Sequence, residues 1–406
     1  MIAVRGRVTS CRPHRIDTSL RGARLGDRVT IRSQGRNVAA MVISVEPART
    51  VLSPLDDARY VNLGDVAQLE EFGDRTVLGT SLCGRAIDGL GRPLDGYAAP
   101  PGSQFSIARY SIAPAPADRR PLSKPLWTGV RAIDALLTVA CGMRLGVFGP
   151  PGAGKSSLLQ AIAQNAKADA VVVALIGERG AEVERHLAIL DERITIVCAA
   201  ADRSAGEQVA AAELAMAQAA RLRECGLDVL VIFDSLARFA HALREIALAN
   251  GEPPGRAGYP PSVFGRLGEL CERAGATASG SITLLATVLA DVDDPGDPLA
   301  EAARSHLDGH LVLSRRRAER GAFPAIDVPA SLSRPMPAVV DPHHLAAATR
   351  VRAVLARLEN SREAREMGLA PPEPLESALE GFLRQNSQPE LIAGSLDELY
   401  HLADRI

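Results

Sequence analysis

The hydrophobic pattern changes character along the chain. Up to about residue 90, short runs alternate apolar and polar positions: Ala3 to Thr9, Asp27 to Arg32 and Val38 to Val45. Turns reading Arg-Gly, Leu-Gly-Asp and Ser-Gln-Gly-Arg-Asn separate them. Half-buried strands at this spacing predict a small β-barrel over residues 1–90. Residues 91–125 carry Pro93, Pro100, Pro101, Pro114, Pro116, Pro121 and Pro125 and predict a stiff, extended connection. From 126 to 341 the apolar runs become continuous. Ala170 to Ile176, Ile194 to Cys198 and Val229 to Phe233 read as strands covered on both faces, and Ser281 to Leu289 as another. Helical periodicity over Glu207 to Glu224 and Leu236 to Ala249 lies between them. The expected result is an α/β core with a mainly parallel sheet, whose ligands bind beyond the carboxyl ends of its strands. Residues 342–406 show helical spacing over Pro342 to Glu366, Glu376 to Arg384 and Pro389 to Ala403. Gly368 and Pro371-Pro372-Glu373-Pro374 interrupt it and predict a C-terminal helical domain. The adjacent His343 and His344 point different ways on a helix and predict solvated or capping groups.

One stretch in the core carries explicit chemistry. Gly149-Pro150-Pro151-Gly152-Ala153-Gly154-Lys155-Ser156 fits G-x-x-x-x-G-K-[ST], between an apolar strand ending at Phe148 and a helix marked by Leu158, Leu159 and Ile162. Glycines let amides close around a triphosphate, and the helix N-terminus adds partial positive charge. Gly149, Gly152, Ala153, Gly154, Lys155, Ser156 and Ser157 are the candidate nucleotide-binding residues. Lys155 would reach the β- and γ-phosphates, and the Ser156 hydroxyl would bind Mg²⁺. Only three of the chain's 46 basic residues are lysines (Lys124, Lys155, Lys167). One of them stands where a compact ammonium is needed.

Composition narrows the remaining choices. Net charge is -2 and aromatics are 3%, which argues against a nucleic-acid partner. Cys11, Cys83, Cys141, Cys198, Cys225 and Cys271 are scattered without a C-x-x-C, which points to a reducing cytosol. No apolar run reaches spanning length, so the expected location is cytoplasmic, with the membrane met only through partners.

Two carboxylates complete the local reading. Asp234 directly follows a buried strand and is either the Mg²⁺ partner or the N-cap of the helix from Leu236. Glu178, in Gly177-Glu178-Arg179-Gly180, either polarises the attacking water or is a solvated loop charge.

The longer motifs resemble the type III protein-export ATPases, the flagellar and injectisome relatives of the F- and V-type ATPase catalytic subunits. They are Gly-Glu-Arg-Gly-x-Glu-Val, the run Asp234 to Ile246, Gly-Glu-Pro-Pro, Gly258 to Phe264, Gly280-Ser-Ile-Thr, Leu307-Asp-Gly-His-Leu-Val-Leu-Ser-Arg, Pro324-Ala-Ile-Asp and Ser331-Leu-Ser-Arg334. The resemblance implies a RecA-like P-loop core and a Mg²⁺-dependent ATPase that assembles as a homohexamer. It would use ATP to release export substrates from chaperones and deliver them to an export gate, alongside stator and stalk proteins. It further implies that Glu178 is the catalytic glutamate, that Arg179 lies near the phosphates and that Arg334 is an arginine finger acting on the neighbouring subunit's site. Phe323 matches the aromatic that stacks on adenine, where the family usually has tyrosine. The wording of Leu20-Arg-Gly-Ala-Arg-Leu-Gly-Asp favours the injectisome branch. A ring helicase moving on RNA and a catalytically silent nucleotide-binding subunit are the alternative expectations.

The chain also departs from the family. Pro150 and Pro151 remove two amides from the loop. The family's segment preceding the barrel is expected to be absent or very short, since Met1 leads almost at once into Arg5-Gly-Arg-Val-Thr, and Met367-Gly-Leu-Ala-Pro-Pro-Glu-Pro replaces the family's C-terminal Gly-Ala-Tyr-x-x-Gly-x-Asp-Pro pattern.

Overall fold

The computed structural model describes residues 4–70, 75–99, 106–108, 112–288, 296–362, 364, 367, 369, 374–385 and 392–406. Ala3, Pro100, Pro101, Leu289, Glu366, Gly368, Pro371, Pro372, Glu373 and Pro389 lie outside the described residues. The chain divides into two compact units. The first comprises Met1–Ala113, Val172–Cys225 and Phe233–Arg273, the second Pro114–Val171, Gly226–Ile232 and Ala274–Ile406.

In the first unit, β1 (Arg5–Arg12), β2 (Arg15–Thr18), β3 (Arg28–Ser33), β4 (Arg36–Val45), β5 (Thr50–Pro54) and β6 (Val66–Leu69) close a barrel in the order β1-β2-β5-β4-β3-β6. Alternation sends Val8, Ile16, Val29, Ile31, Val38, Val42 and Leu52 inward as one core. The β3–β4 hairpin closes through Gln34 and Gly35, both at positive φ, with Ser33 opposite Arg36. That is the two-residue turn whose twist matches the strands. Breaks in register at Val8/Ser10 and Val42/Ser44 bend the sheet far enough to close.

The rest of this unit contains a run in the order Ala170–Ile176 (its greater part), Ile194–Ala199 and Ala86–Asp88, the last two parallel. Ala86–Asp88 was not anticipated as a sheet strand. Nor was the pairing of Ser106–Ala108 with Arg75–Val77 across the proline-rich stretch. Helix Ala205–Glu224 is buried nearly all round, which its small alanines permit. Glu213 inside it is 2% exposed and pairs with Arg266 and Arg273.

In the second unit the strands follow the order Ile326–Ser333, Gly309–Leu313, Arg144–Phe148, Ser281–Val288 and the greater part of Asp228–Asp234. Arg144–Phe148 runs parallel to both neighbours, and Ile326–Ser333 is an antiparallel edge. Helices Pro342–Asn360, Glu376–Leu383 and Ile392–Asp404 follow. His344 is neither solvated nor a capping side chain. It is 1% exposed with Nε2 2.8 Å from the Ala135 carbonyl, because the helix turns it inward after Asp341 caps its backbone.

Candidate functional site

Arg144–Phe148 ends against a glycine because nothing larger fits. A Cβ on Gly149 would lie 2.8 Å from that of Leu313. The chain then turns through Gly152 (φ 82°) and Gly154 (φ 81°), a conformation side chains other than hydrogen rarely tolerate. Helix Lys155–Asn165 starts at once, and its first internal bond runs from Leu158 N–H to the Gly154 carbonyl at 3.0 Å. The amides of Gly154 to Ser157 therefore precede the helical ladder, in the position from which helix N-termini hold anions. The prolines do not interrupt this run. Pro150 and Pro151 come before it, and the Pro150 carbonyl accepts from Ala153 N–H at 3.4 Å.

Beside the loop lies a cavity of about 510 Å³, walled by Gly154, Ser157 and Leu158 on one side, Gly129 and Val130 on another, and Phe323 with Pro324. The Phe323 ring is 43% exposed and packs on Gly154, where a Cβ would meet its Cε1 at 3.0 Å. Aromatic surface beside a glycine loop offers a flat seat for a nucleobase. Gln385 also lines this cavity, and sequence reasoning missed it. Its side chain bonds Gly129 and Arg131, more than 250 residues away, and no local pattern announces such a contact.

Arg334 is placed elsewhere. Leu313 pairs with Ile326 at the loop end of the sheet, whereas Gly309 pairs with Ser333 at the other end, level with Leu145. Phe323 precedes the edge strand and Arg334 follows it. The residues are thus separated along the sheet by the span of Gly309–Leu313, about 13 Å at strand rise. Eight residues oppose five because the strand bulges between them. Ser331 Oγ donates to the Asp327 carbonyl at 2.5 Å and accepts from Val312 N–H at 2.9 Å. Arg334 is exposed, its Nη1 only 3.4 Å from the Leu307 carbonyl, and it does not line the cavity.

The first unit gathers the acidic candidates. Gly177 (φ 69°) ends its strand, with its N–H on the Ala199 carbonyl at 2.7 Å. A Cβ there would stand 3.0 Å from that of Arg238. Glu178 is thereby held inward, 8% exposed, and is not a solvated loop charge. Burial, a hydrogen bond with Glu182 and the charge of Asp234 push its carboxyl up to about 8, against the pull of Arg238. Asp234 is 5% exposed. The helix N-cap is Ser235, whose Oγ accepts from Arg238 N–H at 3.3 Å, so Asp234 is not needed for capping. Arg179 is the exposed residue before helix Gly180–Leu187. The Asp234 carboxylate is a buried hard-oxygen donor of the kind Mg²⁺ takes, and Mg²⁺ ordinarily needs few protein ligands. That donor fits the ion.

The sequence profile of the ATP synthase alpha/beta family, nucleotide-binding domain, matches residues 129–333. The type 3 secretion system ATPase of Sinorhizobium fredii is 44% identical over 87% of this chain and 80% of its own length. The flagellum-specific ATP synthase of Pseudomonas aeruginosa is 43% identical over 82% of this chain and 75% of its own. The assembled ATPase EscN of the enteropathogenic E. coli type III secretion system superposes with a TM-score of 0.90 at 35% identity, covering 98% of this chain and 100% of that one. The chain belongs to the ATP synthase alpha/beta family and, within it, to the ATP-hydrolysing enzymes of type 3 secretion.

Proposed function

We propose that this ATPase works as a homohexameric ring in which each site is completed by the next subunit. The observation that carries this reading is the strand register. Arg334 follows its strand at the opposite end of the sheet from the loop and is exposed, which leaves its guanidinium accessible to a neighbouring subunit. Within a subunit, the amides from Gly152 to Ser157 and the Lys155 ammonium hold the triphosphate, and Phe323 seats the adenine. Ser156 and Asp234 would hold Mg²⁺, which when bound neutralises charge on the β- and γ-oxygens. Glu178 orients the attacking water and takes up its proton, a role suited to a carboxyl held near 8. Arg179 would act on the phosphates. Arg334 of the neighbour stabilises charge on the equatorial oxygens of the transferring phosphoryl group.

The ring energises type 3 protein export, with the injectisome branch preferred over the flagellar one, releasing substrates from chaperones and feeding an export gate. EscN has been solved both assembled and in complex with its central stalk EscO, which supports an oligomer with a stalk partner here. Among the described residues no helix is long and apolar enough to cross a membrane, in keeping with attachment to the cytoplasmic side through partners.

Mixing inactive variants tests the shared site. Glu178→Gln and Arg334→Ala should each lower turnover by about 10³-fold. Rings reconstituted from both should regain activity, because some sites join an intact Glu178 to an intact Arg334. If mixtures are as inactive as either parent, Arg334 does not act in trans.

A further inference from the structure

We infer that Gln385 is a positioning residue for nucleobase binding, the tie through which the C-terminal helices set the width of the adenine seat. This rests on reading the cavity beside Phe323 as that seat.

Gln385 follows helix Glu376–Leu383 and bonds two different walls. Its Oε1 accepts from Arg131 N–H at 2.8 Å and its Nε2 donates to the Gly129 carbonyl at 2.8 Å. Its own backbone N–H donates to the Phe323 carbonyl at 3.0 Å. The side chain fixes one wall and the main chain fixes the other. Neither wall can move far to compensate. Gly129 is at φ 78°, and a Cβ there would lie 2.7 Å from that of Asn165. The Phe323 ring already presses on Gly154. Gln385 is anchored in turn. The Arg131 guanidinium donates to the Arg384 carbonyl at 2.9 Å, pairs with Glu398 and lies 5.3 Å from the centroid of the buried Phe382 ring. The C-terminal helices are thereby tied through Gln385 to both walls of the nucleobase seat.

The test separates those two ends of the ligand. Trp127, the only tryptophan and two residues before Gly129, serves as the fluorescence probe of binding in the full-length protein. Gln385→Ala and Gln385→Met should weaken ATP binding about tenfold, the size of one or two hydrogen bonds. Inorganic tripolyphosphate affinity and kcat should stay within about twofold. Gln385→Glu, which keeps the acceptor for Arg131 and loses the donor to Gly129, should fall between. Equal weakening of both ligands would make Gln385 a general structural residue and overturn the inference, as would no weakening of either. Phe323→Ala is the companion arm. If it weakens ATP but not tripolyphosphate while the Gln385 variants do nothing, the seat stands and the tie fails. If Phe323→Ala leaves ATP binding unchanged, the seat itself is wrong and the inference goes with it.

Discussion

Phe148 and Ile176 both end a buried strand at a glycine, and the two junctions present opposite potentials. After Phe148 the backbone itself presents the polar groups: glycines at positive φ precede a helix start. After Ile176 the backbone only holds a side chain inward. Glu178 is buried beside Asp234, and its carboxyl rises to about 8 in consequence. Amides are neutral groups that water satisfies while no anion is bound, so the first junction costs the fold little. The second asks two carboxylates to share a buried site, which is destabilising while both are charged. Positive potential is supplied by geometry and negative potential by charge, and only the latter carries a stability penalty.

That contrast can be broken most sharply at Glu178. Glu178→Gln should lower kcat by about 10³-fold and yet raise the thermal midpoint of the nucleotide-free protein. The gain should depend on pH. The unfolded carboxyl loses its proton near 4.5, while the folded one keeps it to about 8. Between those values the native state binds more protons, so stability falls as pH rises through the window. The variant escapes this, so its advantage should be small at pH 5 and largest at pH 8 and above. An advantage that shrank with rising pH would contradict the buried-carboxyl account.

The loop should respond in the opposite way. Gly154→Ala places a Cβ against the Phe323 ring at a φ of 81°, which costs about 1–2 kcal/mol of strain. Both thermal stability and ATP affinity should drop, the latter about tenfold. Unchanged affinity would mean that the ring moves aside freely. The smallest effect is expected at Ser235. Ser235→Ala removes the N-cap of helix Leu236–Ala249 and should cost about 1 kcal/mol in denaturant unfolding. A loss of activity far beyond that destabilisation would show that Asp234 depends on its neighbour for placement.

The two junctions also differ in how far the sequence reveals them. The loop is legible because it is local: glycines, lysine and helix spacing lie within a few residues of one another. The buried state of Glu178 is not, since it depends on Arg238 closing over Gly177 and on Asp234, both distant in sequence. Asp234 was readable as a metal ligand or a cap until Ser235 was seen to make the capping bond. The barrel's alternation and the continuous apolar strands were legible because periodicity follows burial. Ala86–Asp88 was not, because three residues carry no period. Gln385 was invisible for a further reason: its partners come from two remote segments, and a glutamine in a polar stretch resembles any surface glutamine.

The bulged edge strand Ile326–Ser333 has a consequence for timing. It begins after Phe323 and ends before Arg334, and the Ser331 hydroxyl bridges its slack by bonding the Asp327 carbonyl and the Val312 amide. In the proposed ring the strand would act as a pushrod between adjacent sites: seating a base at one would shift the arginine offered to the next, and such rods in sequence would give the ring a firing order.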